Sequence, residues 1–312
     1  MKIDKINEKV FFESDGKKLA ALLFKPENFD ESKKYPAVIV TRPASGVKEQ
    51  TAGLYAQELS KKGFITLAFD PKGYGESEGR KRVEDVYSII SDTKNGVTFI
   101  EKNKNVDANN IFNAGICMGS AYATVASIED KRIKATGVVS PIYTSPEDTA
   151  KVYGGKFMVS AMFNSMKPMV WFLNLFGAQV FVPLAPLKWS DKLMPASAMQ
   201  KLAPEYYGPG KVGDVPTWKN KVNFYKAETG AIEFEPFDYI KKYNAQQKPY
   251  FMAYSTGGSS PARLQEFYDK LESKDKELMV IPDSHHFDLY YKEKHVNKIV
   301  NGMSELFKRH IN

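Results

Sequence analysis

Cysteine and histidine are scarce in this chain. Cys117 is the single cysteine among 312 residues, and there are only four histidines. One cysteine excludes an internal disulfide framework and any metal site built from several cysteines. We therefore expect a protein that has no disulfide, binds no metal ion and needs no cofactor.

Long apolar runs and blocks of like charge are also missing. The N-terminal segment MKIDKINEKVFFES has no apolar signal-peptide core. The most apolar segment, Met169 to Leu187, is interrupted by polar residues and prolines, which makes it unsuitable as a membrane-spanning helix. The net charge of +7 comes from scattered lysines, as on a solvated surface rather than a nucleic-acid site. We expect a cytoplasmic protein with no membrane span and no nucleic-acid partner.

The first half of the chain alternates short apolar runs with helical patterns, and the last quarter resumes this alternation. Lys9–Glu13 and Leu19–Lys25 flank a Ser-Asp-Gly turn and predict an antiparallel hairpin. Continuous apolar runs, typical of parallel strands covered on both faces, follow at 37–41, 64–70, 111–116, 133–140, 249–254 and 277–282. Helical patterns occupy 48–62, 83–102, 118–128, 261–271 and 293–310. The pattern predicts a doubly wound α/β fold with a mostly parallel eight-stranded sheet flanked by helices.

A long segment between the sixth and seventh predicted strands, counted from the start of the hairpin, breaks this rhythm. Residues 141–248 are rich in Phe, Met, Trp, Tyr and Pro and contain no clear strand pattern. We interpret them as a cap inserted into a core domain formed by residues 1–140 and 249–312. A cap at this place packs on the core and, in covering the active site, lines the substrate cavity.

The single cysteine lies in a motif that is typical of a catalytic nucleophile. The segment NAGICMGS places Cys117 in a Gly-x-Cys-x-Gly frame between a predicted strand and a predicted helix. Gly-x-Ser-x-Gly occurs at such a turn in many hydrolases. A helix N-terminus and a nearby imidazolium would lower the pKa of a cysteine there. The alternative is a small buried side chain, since free cysteine is among the most buried residue types.

Two of the histidines follow the last predicted strand. His285 and His286 lie in IPDSHHFDLY, whereas His295 and His310 lie on the terminal helix. A loop after a parallel strand lies at the same edge of the sheet as Cys117. The order of nucleophile first and histidine near the end is that of the α/β hydrolases.

Four segments together resemble the dienelactone-hydrolase-like branch of the α/β hydrolases. They are GVKEQTAGLYAQEL, ITLAFDPKGYGESEG, GICMGSAYA and SHHFDLY. The resemblance covers Glu8–Ser140 and Pro249 to the end of the chain. It implies an α/β-hydrolase fold with Cys117 as nucleophile and His286 as general base. It also implies an oxyanion hole formed by the backbone N–H groups of Met118 and Ala44.

The acid expected as third catalytic group is missing from its usual loop. The loop STGGSSP at 255–261 contains no carboxylate, and Ser259 stands where an Asp is expected. The candidates for orienting His286 are Ser259, Asp283, and Glu147 or Asp148 after the sixth strand; alternatively, the site has lost its hydrolytic power. Arg42, next to the oxyanion loop, either meets an acidic substrate group or forms an ion pair. We expect structural roles for three acids: Asp70, Glu76 and Asp288.

The sequence thus favours a hydrolase of esters, thioesters or lactones that works through a covalent acyl-enzyme. The aromatic cap predicts a small-molecule substrate with an apolar acyl part. Two alternatives stay open: acyl transfer to an alcohol or amine at the same site, and a non-catalytic binding protein that keeps the pocket. Formation of a homo-oligomer is compatible with the sequence.

Overall fold

A sheet of eight strands lies at the centre of the computed structural model, which describes residues 1–4, 8–143, 145, 147, 150–151, 155–188, 197–225 and 233–312. The strands in chain order are β1 (Glu8–Ser14), β2 (Lys17–Phe24), β3 (Tyr35–Thr41), β4 (Ile65–Phe69), β5 (Val106–Ile116), β6 (Ile133–Val139), β7 (Phe181–Val182), β8 (Val222–Asn223), β9 (Tyr250–Gly257) and β10 (Lys276–His285). The order across the large sheet is β1-β2-β4-β3-β5-β6-β9-β10, and β7 pairs with β8 separately.

Strand β2 runs antiparallel to both of its neighbours, whereas the other neighbours in the large sheet are parallel. The hairpin between β1 and β2 turns at Asp15 and Gly16, which have φ values of 48° and 71°. Two successive residues with positive φ match the right-handed twist of the flanking strands. Every residue of β4 is buried, as its uninterrupted apolar sequence predicts for a strand covered on both faces.

Helices cover both faces of the sheet. They are α1 (Thr51–Ser60), α2 (Val86–Glu101), α3 (Met118–Glu129), α4 (Lys156–Leu175), α5 (Ala198–Leu202), α6 (Pro204–Tyr207), α7 (Ile240–Asn244), α8 (Pro261–Lys270), α9 (Asp288–Tyr291) and α10 (Glu293–Arg309), with a short 3₁₀ helix at Pro236–Tyr239. One apolar cluster joins α1 and α10 to the sheet, and a second joins α2, α3 and α8. This is the α/β-hydrolase architecture, and the prediction of the fold class is confirmed.

The segment between β6 and β9 adds no strand to the large sheet in the part that the structure describes. Its helix α4 packs in a small apolar cluster with Phe163, Val170 and Phe224. Farther along, Ile240 and Tyr243 belong to the cluster that contains α2 and α3. The exact division into a core and a cap at 141 and 248 stays a prediction. Across the described residues, no helix combines the length and the apolar character needed to cross a membrane.

The parallel strands end at one common edge of the sheet. The loop that starts at Arg42 follows β3, Cys117 follows β5, Ser140 follows β6 and His286 follows β10. In open α/β sheets, ligands bind outside the carboxyl ends of the strands. The fold therefore brings these four chain segments to the edge where a functional site is expected.

Candidate active site

Cys117 lies on a sharp turn between β5 and α3. Its backbone has φ 60° and ψ −123°, a conformation that costs energy for any residue other than glycine. Its N–H donates to the carbonyl oxygen of Val139 at 2.9 Å, which ties the turn to the neighbouring strand β6. A strained turn of this kind projects the nucleophile above the sheet in α/β hydrolases.

The turn requires the glycines on either side of Cys117. A Cβ atom on Gly115 would lie 2.2 Å from the carbonyl oxygen of Gly119, and one on Gly119 would lie 2.4 Å from that of Arg42. Both clashes involve backbone atoms, which cannot rotate away. The Gly-x-Cys-x-Gly pattern is therefore a packing requirement of the strand, the turn and the helix.

We expect Gly119→Ala to destabilise the fold by about 3 kcal/mol, the upper range for overpacking in a dense interior. Gly96→Ala is the matched control. Its Cβ would meet only side-chain atoms, at 3.6 Å or more, and alanine in a helix is favoured over glycine by about 1 kcal/mol. Urea unfolding of both variants measures the difference. Equal stabilities would contradict the close approach at the turn.

The Cys117 thiol is nearly enclosed, with 5% of the residue's surface exposed. The Tyr290 hydroxyl and the backbone N–H groups of Met118 and Ala44 all lie within hydrogen-bonding reach of its sulfur. Burial nevertheless raises the pKa of the thiol to about 11. The sequence-based expectation of a lowered pKa is wrong for the resting state, because desolvation outweighs these hydrogen bonds.

His286 is equally buried, and hydrogen bonds hold its ring at both nitrogens. Nδ1 lies 3.0 Å from Ser140 Oγ, and Nε2 lies 3.0 Å from the Tyr290 hydroxyl. Ser140 Oγ also donates to the backbone oxygen of His286 at 3.0 Å. Burial, with a smaller contribution from His285, lowers the pKa of His286 to about 3. The resting site therefore holds a neutral thiol and a neutral imidazole, not an ion pair.

The partner of His286 Nδ1 differs from all the candidates named from the sequence. Ser140 occupies that position instead of Ser259, Asp283 or Glu147; Asp148 lies outside the described residues. Asp283 and Glu147 are exposed, and Ser259 lies in the loop after β9. Ser140 directly follows β6, the strand next to β5, which leads to Cys117. The sequence does contain a signal for Ser140, because it is the serine at the end of the apolar run GVVS. Neighbouring parallel strands end side by side, so a residue there lies close to Cys117.

Arg42 and Glu84 form a buried ion pair beside the loop that follows β3. Arg42 Nη1 donates to Glu84 Oε1 at 2.6 Å, and the Ser45 N–H donates to Glu84 Oε2 at 3.1 Å. The Tyr74 hydroxyl donates to the same carboxylate at 2.7 Å. Arg42 is fully buried, which matches the ion-pair alternative for this residue. The pair holds the loop that contains Ala44. The sequence analysis did not identify Glu84, because the residues around it form no motif that indicates a role in the site.

The acids expected to be structural make structural contacts. Lys48 Nζ lies 2.8 Å from Asp70 and 2.7 Å from Glu76, which joins the loops after β3 and β4. Asp288 accepts from the His285 N–H at 3.2 Å and so holds the histidine loop. Lys292 Nζ also lies 2.8 Å from Asp288.

His285 contacts α6 through its ring. Its Nε2 lies 3.0 Å from Glu205 and 3.1 Å from Asp288. These three side chains are close enough to one another to share a metal ion. The ammonium group of Lys292 already lies against Asp288, however, and supplies the positive charge. The arrangement combines the Lys292–Asp288 ion pair with hydrogen bonds of His285, and it links the segment around α6 to the histidine loop.

Aromatic rings form a wall in the buried apolar cluster that also contains Cys117. Tyr207 stacks on Trp218, with ring centroids 4.6 Å apart, and meets Phe287 edge-on at 6.0 Å. All three are buried. Two of them come from the segment between β6 and β9, and the third follows His286. The resulting wall is apolar and rigid.

A family model described as Hydrolase_4, serine aminopeptidase, S33, matches residues 46–202. The chain belongs to this α/β-hydrolase family. The matched region includes the cysteine turn and Ser140, and it ends before His286. The family description names a serine enzyme, whereas this hydrolase has Cys117 at the turn.

The hydrolase is also similar to individual proteins. It is 29% identical over 313 residues to the uncharacterised protein YcjY of Escherichia coli K12, covering 97% of the hydrolase and 99% of YcjY. It is 33% identical over 137 residues to the thiohydrolase AneE of Aspergillus aculeatus, covering 44% and 42% of the two chains. The crystal structure of hypothetical protein PA2218 from Pseudomonas aeruginosa shares the fold, with a TM-score of 0.85, 24% identity and coverage of 100% and 96%.

Proposed function

We propose that this hydrolase cleaves ester, thioester or lactone bonds through an acyl-enzyme on Cys117, as in the dienelactone-hydrolase-like branch of the fold. One observation carries the proposal. The sulfur stands on a strained turn with two converging backbone N–H groups, from Met118 and Ala44, within hydrogen-bonding reach. Such a pair of donors beside a nucleophile is the arrangement that stabilises an oxyanion.

The reaction starts from neutral groups. The thiol sulfur attacks the substrate carbonyl carbon as its proton leaves toward His286 Nε2, and the carbonyl oxygen takes up negative charge between the N–H groups of Met118 and Ala44. The bond to the leaving group then breaks, and the leaving group takes the proton from His286. A thioester on Cys117 remains.

Water completes the cycle in the hydrolytic reaction. It attacks the thioester carbonyl and passes a proton to His286, the carbon–sulfur bond breaks, and the sulfur recovers the proton. The acid form of the substrate's acyl part is released. Throughout, Ser140 keeps Nδ1 of the ring hydrogen-bonded, so Nε2 remains the nitrogen that exchanges the proton.

The wall around the thiol supports a substrate with an apolar acyl part. Tyr207, Trp218 and Phe287 present ring faces and edges in direct mutual contact. Apolar rings favour the binding of a carbon chain or ring through the area they remove from water. We expect longer acyl chains to react faster than acetyl up to the capacity of the site.

Acyl transfer is a second candidate, favoured by the burial of the thiol. Only 5% of Cys117 is exposed, so water has restricted access to a thioester formed there. An acceptor alcohol or amine that binds under the aromatic wall would then compete with water.

A panel of p-nitrophenyl esters and matched acyl thioesters from two to twelve carbons tests the function. We expect nitrophenolate release with kcat/KM rising with chain length. Product analysis with added alcohols and amines separates hydrolysis from acyl transfer. Saturable binding of these compounds without release or any mass adduct would contradict both enzymatic functions and favour a binding protein.

A further inference from the structure

A tyrosine hydroxyl lies between the thiol and the imidazole. His286 Nε2 is 3.0 Å from the hydroxyl of Tyr290. Tyr290 and Cys117 lie in the same buried cluster, close enough for each group to affect the ionisation of the other. We propose that Tyr290 relays the proton between Cys117 and His286. This role rests on the acyl-enzyme function proposed above and adds a catalytic residue to it.

The chain segment around Tyr290 holds this hydroxyl firmly in place. Tyr290 is 1% exposed and lies four residues after His286, on the short helix α9. Its ring meets those of Tyr206 and Phe287 edge-on at 5.2 and 5.1 Å. The preceding residue is anchored as well, because the Tyr55 hydroxyl donates to the carbonyl oxygen of Leu289 at 2.7 Å. A buried side chain packed against two aromatic rings has little freedom to leave its position.

The hydrogen bonds have one consistent direction. Ser140 Oγ has a single proton and donates it to the backbone oxygen of His286, so its lone pair accepts from Nδ1–H. Nε2 is then the unprotonated nitrogen and accepts from the Tyr290 hydroxyl. Because the single proton of that hydroxyl is then directed to Nε2, a hydrogen bond between the hydroxyl and the sulfur must have the thiol as its donor. The result is an ordered chain from sulfur to tyrosine to imidazole.

The relay conserves atoms and charge. As the sulfur attacks the carbonyl carbon, its proton moves to the tyrosine oxygen, and the original tyrosine proton moves to Nε2. Tyrosine is neutral before and after, the imidazole has become imidazolium, and the carbonyl oxygen carries the negative charge. The reverse shift returns a proton through Tyr290 to the leaving group.

Burial explains why the two proton transfers, from sulfur to tyrosine and from tyrosine to imidazole, occur together. It raises the pKa of Tyr290 well above its usual value and also raises that of Cys117. Neither a free tyrosinate nor a free thiolate is therefore stable in this site.

Three further titratable groups lie close enough to influence the thiol electrostatically: Glu84, Tyr122 and Tyr207. The two tyrosines stay neutral near pH 7, because burial raises the pKa of both well above its usual value.

Tyr290→Phe tests the relay by removing the hydroxyl and keeping the ring. We expect kcat/KM for a p-nitrophenyl ester at pH 7 to fall about 100-fold, the lower range for loss of a proton-transfer group. The loss should shrink as the pH rises toward the pKa of the Cys117 thiol, about 11, because a growing fraction of the sulfur is then already deprotonated. A merely structural role would give a loss that does not depend on pH.

Tyr55→Phe is the matched control. It removes another buried tyrosine hydroxyl, one that supports α9 without contacting the thiol or the imidazole. We expect its kcat/KM to stay within about threefold of the parent and its pH profile to keep its shape. An equal, pH-independent loss in both variants would overturn the relay.

The outcomes separate the relay from the proposed function. A parent protein with no turnover and no adduct would overturn both. A parent that turns over, with Tyr290→Phe within threefold of it at pH 7, would overturn the relay alone. If Tyr290→Phe does not fold, the acylation rate of the parent protein is measured in mixtures of H₂O and D₂O instead. Two protons that move together predict that this rate depends on the deuterium fraction along a curve. A linear dependence would contradict the relay.

Discussion

Cys117→Ala is expected to lower kcat/KM for p-nitrophenyl esters by about 10³-fold or more, the scale seen when a catalytic nucleophile is removed. Alanine keeps the small side chain that the strained turn accommodates, so the fold and the two N–H donors remain. The residual rate would come from binding and from the oxyanion donors alone. Steady-state kinetics and a thermal unfolding curve on the same sample check both parts of this expectation.

Cys117→Ser is the companion variant, because the family description names a serine enzyme. A hydroxyl is harder to deprotonate than a thiol, and His286 has a serine rather than a carboxylate at Nδ1. We therefore expect Cys117→Ser to be slower than the parent. A serine variant that equals or exceeds the parent would show that the site is built for a serine and that the cysteine mechanism is wrong.

Glu84→Ala is expected to destabilise the protein by about 3–5 kcal/mol, because it leaves the fully buried Arg42 guanidinium without its carboxylate. The loop that carries Ala44 would also lose the Ser45 hydrogen bond. Activity should then fall even at temperatures where the variant remains folded, since one oxyanion donor is no longer held in place. Urea unfolding and kinetics at 15 °C measure the two effects separately.

Glu129→Ala is the control for charge removal. Its ion pair with Lys94 has both side chains at least one-third exposed, and exposed pairs of this kind contribute about 0–1 kcal/mol. If Glu84→Ala proves as mild as Glu129→Ala, the buried pair does not hold the oxyanion loop.

Fold class could be predicted because its signals are local. Continuous apolar runs such as that of β4 require cover on both faces, and the small residues around Cys117 are imposed by a close backbone contact between a strand and a helix. These constraints follow from a few adjacent residues, so the sequence shows them directly. The mixed polar and apolar stretch after β6 gave no such signal, and its short helices remained unassigned.

The groups that complete the site could not be predicted in the same way. Ser140, Glu84 and Tyr290 act through partners far away in the chain: Ser140 and His286 are 146 residues apart. A serine at a strand end and a tyrosine after a histidine loop are common, and their positions become informative only with the strand order. The prediction of a lowered pKa for Cys117 failed for a related reason. The burial that raises this pKa depends on the aromatic wall, which comes mainly from the segment before β9.

Peptide mapping of the acylated protein tests directly whether Cys117 is the nucleophile. The protein is mixed with a p-nitrophenyl ester, quenched in acid during turnover and digested with trypsin. We predict the mass of the acyl group on the peptide Asn105–Lys131, localised to Cys117 and removed by neutral hydroxylamine, as a thioester requires. Turnover accompanied by an acyl group on a serine of that peptide, or by no acyl group on any residue, would contradict the account.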